Sequence, residues 1–283
     1  MEKIEIEIRK GIREEREMKL SKKIYALTAG LLIITGSYGL VWAKEKNEDP
    51  KPYAAVSSAF LSQYIFRGYQ FSKHSLVIQP TLTVGYMGFE AVLWGNLDTK
   101  DNYTGTEKMN WNETDLTLSY TKELGPTKLT GGYIYYSLDN TEDSQELFLK
   151  IAGNVLLTPT LSVYREIANY PGWYFNLGVS HSLNLTKIIT LDMAASVGYQ
   201  ISDTDKIVRY DNQLLTTTDK YRALHDGLIS VGLTIPLGKY FALKPMVAYS
   251  LPLSDDAKNR IKGTSLSNKE NFFLGGVSVS ATF

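Results

Sequence analysis

Apolar and polar positions alternate along most of this chain, segment after segment. In "SLVIQPTLTVGY" (75–86) one face takes Leu76, Ile78, Pro80, Leu82, Val84 and Tyr86, and the other takes Val77, Gln79, Thr81 and Thr83. A period of two predicts a β-strand. "GFEAVLWGNLD" (88–98) repeats the pattern, with Phe89, Ala91, Leu93 and Leu97 opposite Glu90, Trp94, Asn96 and Asp98. In "TDLTLSY" (114–120), Leu116, Leu118 and Tyr120 oppose Asp115, Thr117 and Ser119. The same reading predicts strands at 53–66, 128–139, 145–157, 161–168, 173–185, 188–201, 227–237, 240–253 and 271–283, which makes twelve.

The connections between these segments are of two kinds. Short ones fall at Met87-Gly88, 125–127, 158–160, Thr186-Lys187 and Gly238-Lys239, all carrying turn residues. Longer polar ones fall at 67–74, 99–113, 140–144, 169–172, 202–226 and 254–270. Short and long alternate along the chain. An even-stranded meander with tight turns at one end and long loops at the other is the plan of an outer-membrane barrel. The expected fold is therefore all-β: a single twelve-stranded antiparallel up-and-down transmembrane β-barrel over 53–283, with both ends on the periplasmic side.

Direction matters as much as topology. A soluble barrel turns its apolar face inward, whereas a membrane barrel turns it to lipid and keeps a polar lumen. Aromatic residues stand near strand ends on the apolar faces: Tyr86, Phe89, Tyr120, Trp173, Phe241, Tyr249 and Phe283. Such rings suit the interfacial girdle of a membrane barrel. The opposite faces are rich in small polar positions, among them Gly178, Ser180, Ser196, Gly198, Gly276, Ser278 and Ser280, as a confined lumen requires.

The segment before the strands fits this reading. From Met18 a basic start (Lys19, Lys22, Lys23) leads into an apolar run over 24–43 that ends Val41-Trp42-Ala43. That is the layout of a cleavable secretory signal, with cleavage after Ala43 and 44–52 as a short periplasmic lead-in. An uncleaved anchor is the competing reading, but Gly30, Gly36, Ser37 and Gly39 dilute the run. Residues 1–17 place mixed charge ahead of the basic start, so the expected true start is Met18.

Composition narrows the function. Thirty basic residues against thirty acidic ones give no field that would gather nucleic acid. Without cysteine there is no thiolate nucleophile, disulfide or Cys-based metal site. Three histidines exist. His181 shares the apolar face with Val179 and Leu183, while His74 and His225 fall in predicted loops beside Ser75 and Asp226, a weak basis for a hydrolase triad. The acidic stretches "SDTDK" (202–206) and "SDDAK" (254–258) read as solvated loop exteriors, so no metal and no cofactor is expected.

Residues 57–72, "SSAFLSQYIFRGYQFS", and 79–98, "QPTLTVGYMGFEAVLWGNLD", resemble the opening of the TorF family of outer-membrane porins. The matching positions are Ser62, Tyr64, Phe66, Arg67 and Gly68, then Gly88, Phe89, Trp94 and Asn96. Gln63 departs from the acidic residue usual there. The resemblance covers the first hairpin and implies a pore without an established substrate.

If the strand runs on to residue 66, Tyr64 and Phe66 face lipid while Gln63 and Arg67 face the lumen at its outer mouth. Parity places Glu90, Trp94, Asp98, Asp115, Glu146, Lys150, Asp192 and Lys244 on lumen faces as well. Arg67 would either tune the mouth electrostatics or brace the first loop. The final strand ends on Phe283, similar to the signal read by the barrel-assembly machinery. The expected function is a channel for passive diffusion of small polar solutes or ions in a Gram-negative outer membrane, narrowed by the loop from Ser202 to Asp226. Alternatives are an outer-membrane lipid hydrolase, a structural or adhesive barrel with a blocked lumen, and a soluble periplasmic binding barrel.

Overall fold

A computed structural model describes residues 51–100, 108–139 and 141–283. The readings made for residues 1–50 and for part of the loop after Asp98 lie outside the described residues. Twelve long strands carry the fold: β1 (Tyr53–Leu61), β4 (Val77–Tyr86), β5 (Phe89–Asp98), β6 (Asn110–Leu124), β7 (Thr127–Leu138), β8 (Ser144–Gly153), β9 (Thr160–Glu166), β10 (Gly172–Asn184), β11 (Thr190–Ser202), β14 (Arg222–Leu237), β15 (Phe241–Pro252) and β16 (Phe272–Thr282). Each pairs antiparallel with its neighbours, and β1 closes on β16 with Ser57 opposite Ser280, so the sheet is a closed barrel without edges. Closure leaves every backbone donor and acceptor of the wall within reach of a neighbouring strand, the condition for a sheet in lipid.

Two further hairpins and a helix sit in the long loops. β2 (Ile65–Phe66) pairs with β3 (Tyr69–Gln70), β12 (Val208–Tyr210) pairs with β13 (Thr216–Lys220), and α1 spans Asp255–Thr264. Helix α1 starts where Ser254 accepts a hydrogen bond from the Ala257 amide, with Asp255 and Asp256 in the first turn. A side-chain oxygen at that position satisfies an otherwise orphaned donor, and the acids favour the positive helix end.

The strand faces resolve the direction of burial. Leu82, Val84, Leu93, Leu118, Leu149, Ile229, Val231 and Val247 are exposed on the outer wall, while Gln79, Asn96, Asp115, Glu146, Ser162, Asn176, Gln200 and Ser250 are buried inside. This is an inside-out protein. The seven girdle aromatics named from the sequence are all exposed, Phe89 and Phe283 by about two-thirds (66% and 65%). In water such a wall would be a very large apolar patch; in a bilayer it matches the solvent.

Several strand limits differ from expectation; β8, for one, ends at Gly153 rather than 157, and β6 runs on to Leu124. β6 starts at Asn110 rather than 114, and β14 at Arg222 rather than 227. Asn110 pairs with Asp98 and Arg222 with Ile201, so strand pairing continues past the apolar band, where side chains are already polar. β1 is the opposite case: it ends at Leu61, not at residue 66. From Ser62 the chain leaves the wall and turns into the lumen, which moves Tyr64 and Phe66 from the expected lipid face to the interior.

Candidate functional site: a filled outer lumen

The first loop enters the barrel through a two-residue turn. Arg67 (φ 43°) and Gly68 (φ 77°) lie between β2 and β3, both in the left-handed region, as a tight hairpin of this twist requires. Gly68 suits the position because a Cβ there would sit 3.0 Å from both Asp226 Cβ and Ile261 Cδ1. Arginine pays a conformational cost in that region, so its side chain must be held by strong contacts.

It is. Arg67 is 4% exposed, and its two terminal nitrogens donate to Glu146 Oε1 and Oε2 at 2.8 and 2.9 Å. The Tyr136 hydroxyl donates to the same Oε2 at 2.8 Å. The guanidinium also lies over the rings of Tyr174, Tyr164 and Phe66, at 4.2, 4.5 and 4.9 Å from their centroids. A planar, delocalised cation is suited to a bidentate carboxylate and to aromatic faces at once, where lysine is not. These contacts cross from the first loop to β7, β8, β9 and β10, so one arginine ties the loop to the far wall.

His225 fixes the turn backbone. Its Nε2 lies 3.0 Å from the Arg67 carbonyl oxygen, which can only accept, so Nε2 carries the proton. Nδ1 is then the acceptor for the Tyr221 hydroxyl at 2.6 Å. His225 and Asp226 both point inward because the register of β11 and β14 shifts between Val197 and Tyr199, leaving Gly198 opposite the irregularity. A Cβ on Gly198 would fall 2.2 Å from Asp226 Oδ1 and 2.4 Å from the Tyr174 hydroxyl. Gly198→Ala is therefore expected to destabilise the barrel by about 1–3 kcal/mol through overpacking, read as an earlier urea transition in lipid vesicles.

The last long loop supplies the other half of the filling. Arg260 on α1 is fully buried; its Nε donates to the Tyr69 hydroxyl at 2.7 Å and a terminal nitrogen donates to the Val208 carbonyl at 2.8 Å. Tyr69 in turn donates to Gln200 Oε1 at 2.9 Å on the wall. Ile65, Tyr69, Ala257 and Ile261 pack on Ala248, Phe272 and Leu274 of the inner wall. On the other side Tyr64 and Phe66 pack with Ala59, Leu61, Val77 and Trp94. Three loops thus meet inside the outer half: the first through Arg67, the loop after β11 through Val208 and Tyr221, and the last through α1.

With this geometry in place, comparison with solved structures is informative about the fold. The chain is similar to outer-membrane channel barrels. The COG4313 outer membrane channel from Pseudomonas putida F1 superposes with TM-score 0.51 at 9% identity, over 89% of this chain and 100% of that one. The KdgM porin does so with TM-score 0.50 at 12% identity, over 81% of this chain and 99% of that one. No protein-family model and no curated protein matches the chain.

The residues named from the sequence divide into two tiers. Trp94, Asp98, Asp115 and Glu146 are buried in the filled outer half, where Glu146 pairs with Arg67 and Trp94 packs on Tyr64. Glu90, Lys150, Asp192 and Lys244 are half-buried nearer the short-turn end. There Glu90 accepts from the Tyr53 hydroxyl, and Asp192 accepts from Ser182 and Thr234, both at 2.6 Å. Gln63 is not beside Arg67 on a strand; it donates to the Phe273 carbonyl at 2.8 Å and accepts from Gln70. Of the motif residues, Ser62 accepts from the Gly275 amide, while Gly88 (φ 87°) and Met87 form the first hairpin turn.

The histidine expectations are corrected as well. His225 lies in β14, not a loop, with both ring nitrogens bonded to Tyr221 and to backbone, and Asp226 accepts from Tyr174 rather than from the imidazole. Ser75, next to exposed His74, donates to Asp98. Among the described residues no three His, Asp or Glu side chains converge as a metal site. Sequence reading missed Tyr69, Tyr136, Tyr164, Tyr174, Gln200 and Arg260. The available signal was the change on inward faces from Ser, Thr and Gly to tyrosine in the outer halves of β7, β9 and β10.

Proposed function

We propose that this protein is an outer-membrane channel for small polar solutes or ions, exported through its signal segment and related to the TorF porins through its first hairpin. The observation that carries this reading is a polar interior inside an apolar wall in a fold shared with outer-membrane channels. The resting channel is narrow, because the Arg67–Glu146 layer fills the lumen across its outer half. Solute would reach that layer from the periplasmic side past Glu90, Lys150, Asp192 and Lys244. Wider passage requires the β2–β3 turn to leave the guanidinium's seat. Arg67 then acts as a brace on the first loop and, through it, on conductance.

In planar bilayers the purified protein should give small, discrete current steps, and Arg67→Ala should raise the unit conductance several-fold. The same packing favours a second reading, a structural barrel with a closed lumen. Electrical silence of both the wild type and Arg67→Ala in every electrolyte tried would overturn the channel reading in its favour.

A further inference from the structure

Within the filled lumen, one strand face carries buried oxygens that are incompletely answered by protein groups. Glu113, Asp115 and Thr117 are successive inward positions of β6, with 5%, 0% and 9% of their surfaces exposed. The Glu113 carboxyl meets the Tyr64 side chain, but its Oε1, both carboxylate oxygens of Asp115 and the Thr117 hydroxyl oxygen are buried without a hydrogen-bond partner. Unanswered buried polar atoms are uncommon in native proteins, and buried carboxylates without a counter-charge cost several kcal/mol. Arg67, the cation of this layer, is paired through both terminal nitrogens with Glu146. Across the strands Asp115 faces Trp94 and Tyr136, and Thr117 faces Val92 and Ile134, none of them cationic.

We infer that Glu113, Asp115 and Thr117 form a binding site for a desolvated monovalent alkali cation. The donor set is oxygen only, which suits hard cations and excludes soft transition metals. Two carboxylates and one hydroxyl are too few for a tight divalent cage. A proton is the other possible neutraliser. Alternate positions on a strand set the two Cα atoms about 6.6–6.8 Å apart. A cation between the carboxylates bridges that span, whereas protons would neutralise each carboxyl singly. The ion would neutralise the surplus acid beside the Arg67–Glu146 pair and so stiffen the wall against which the first loop packs.

Binding is read here without conductance, so the site stands or falls separately from the channel reading. The detergent-folded protein is melted in sodium or potassium chloride and in N-methylglucamine chloride of equal ionic strength at neutral pH. Alkali salt should raise the midpoint by roughly 2–4 °C, and Asp115→Asn and Thr117→Val should each abolish the difference. Equilibrium dialysis against radioactive sodium should show one retained ion per wild-type chain and none in Asp115→Asn, which covers the case in which a variant melts early. Equal midpoints in the two salts, or retention unchanged in Asp115→Asn, would overturn the site. So would acidification that fully replaces alkali salt, which would assign neutralisation to a proton, or micromolar calcium displacing the sodium.

Discussion

Glu146→Ala is expected to lower the unfolding free energy of the barrel by about 3–5 kcal/mol, the loss typical when one partner of a buried ion pair is removed. The reason is the position of Arg67, which would keep its charge in an aromatic-lined interior with both fork nitrogens deprived of their acceptor. Arg67→Met should cost less, because Glu146 then retains the Tyr136 hydroxyl as a donor at 2.8 Å. The double variant Arg67→Met/Glu146→Ala should recover much of the Glu146→Ala loss, since apolar groups replace both charges among Tyr136, Tyr164 and Tyr174. Urea unfolding in lipid vesicles supplies all the terms of the cycle. If the two single losses simply add, the pair is not the latch of the first loop, and the anchor must be sought in α1 and Arg260.

How much of this could be read from the chain depends on how local the cause is. Strand faces are local: every second side chain points one way, so Leu82, Val84 and Ile229 could be assigned outward and Asp115 and Glu146 inward without knowing any contact. Filling of the lumen is not local. Extending the β1 parity past Leu61 put Tyr64 and Phe66 in lipid, although inward-facing Ala59, Leu61 and Val77 form the apolar surface they pack on. Those three small or aliphatic inward residues were a visible sign that something apolar covers them. His225 shows the other failure of parity: one irregularity opposite Gly198 turns two adjacent side chains, His225 and Asp226, to the same face. Nor could sequence choose the partner of Arg67, because Glu146 lies 79 positions away and only barrel closure brings them together.

Replacing Val231 by arginine tests the inside-out assignment itself. Val231 is exposed near the middle of β14, opposite Met193 and Val247 on the outer wall. An arginine at the bilayer midplane of a barrel costs about 2–4 kcal/mol, because the guanidinium must stay in hydrocarbon or drag water and headgroups to it. Ala194 is the matched control, an inward position of β11 that is exposed within the lumen, so Ala194→Arg should change stability by less than about 1 kcal/mol. Both are measured by urea titration in vesicles. A soluble barrel would behave in the opposite sense: Val231→Arg would be nearly silent on a wetted exterior, while Ala194→Arg would force a charge into the interior. The sign of the difference between these two variants therefore decides which face of the sheet meets lipid, independently of any measurement of transport.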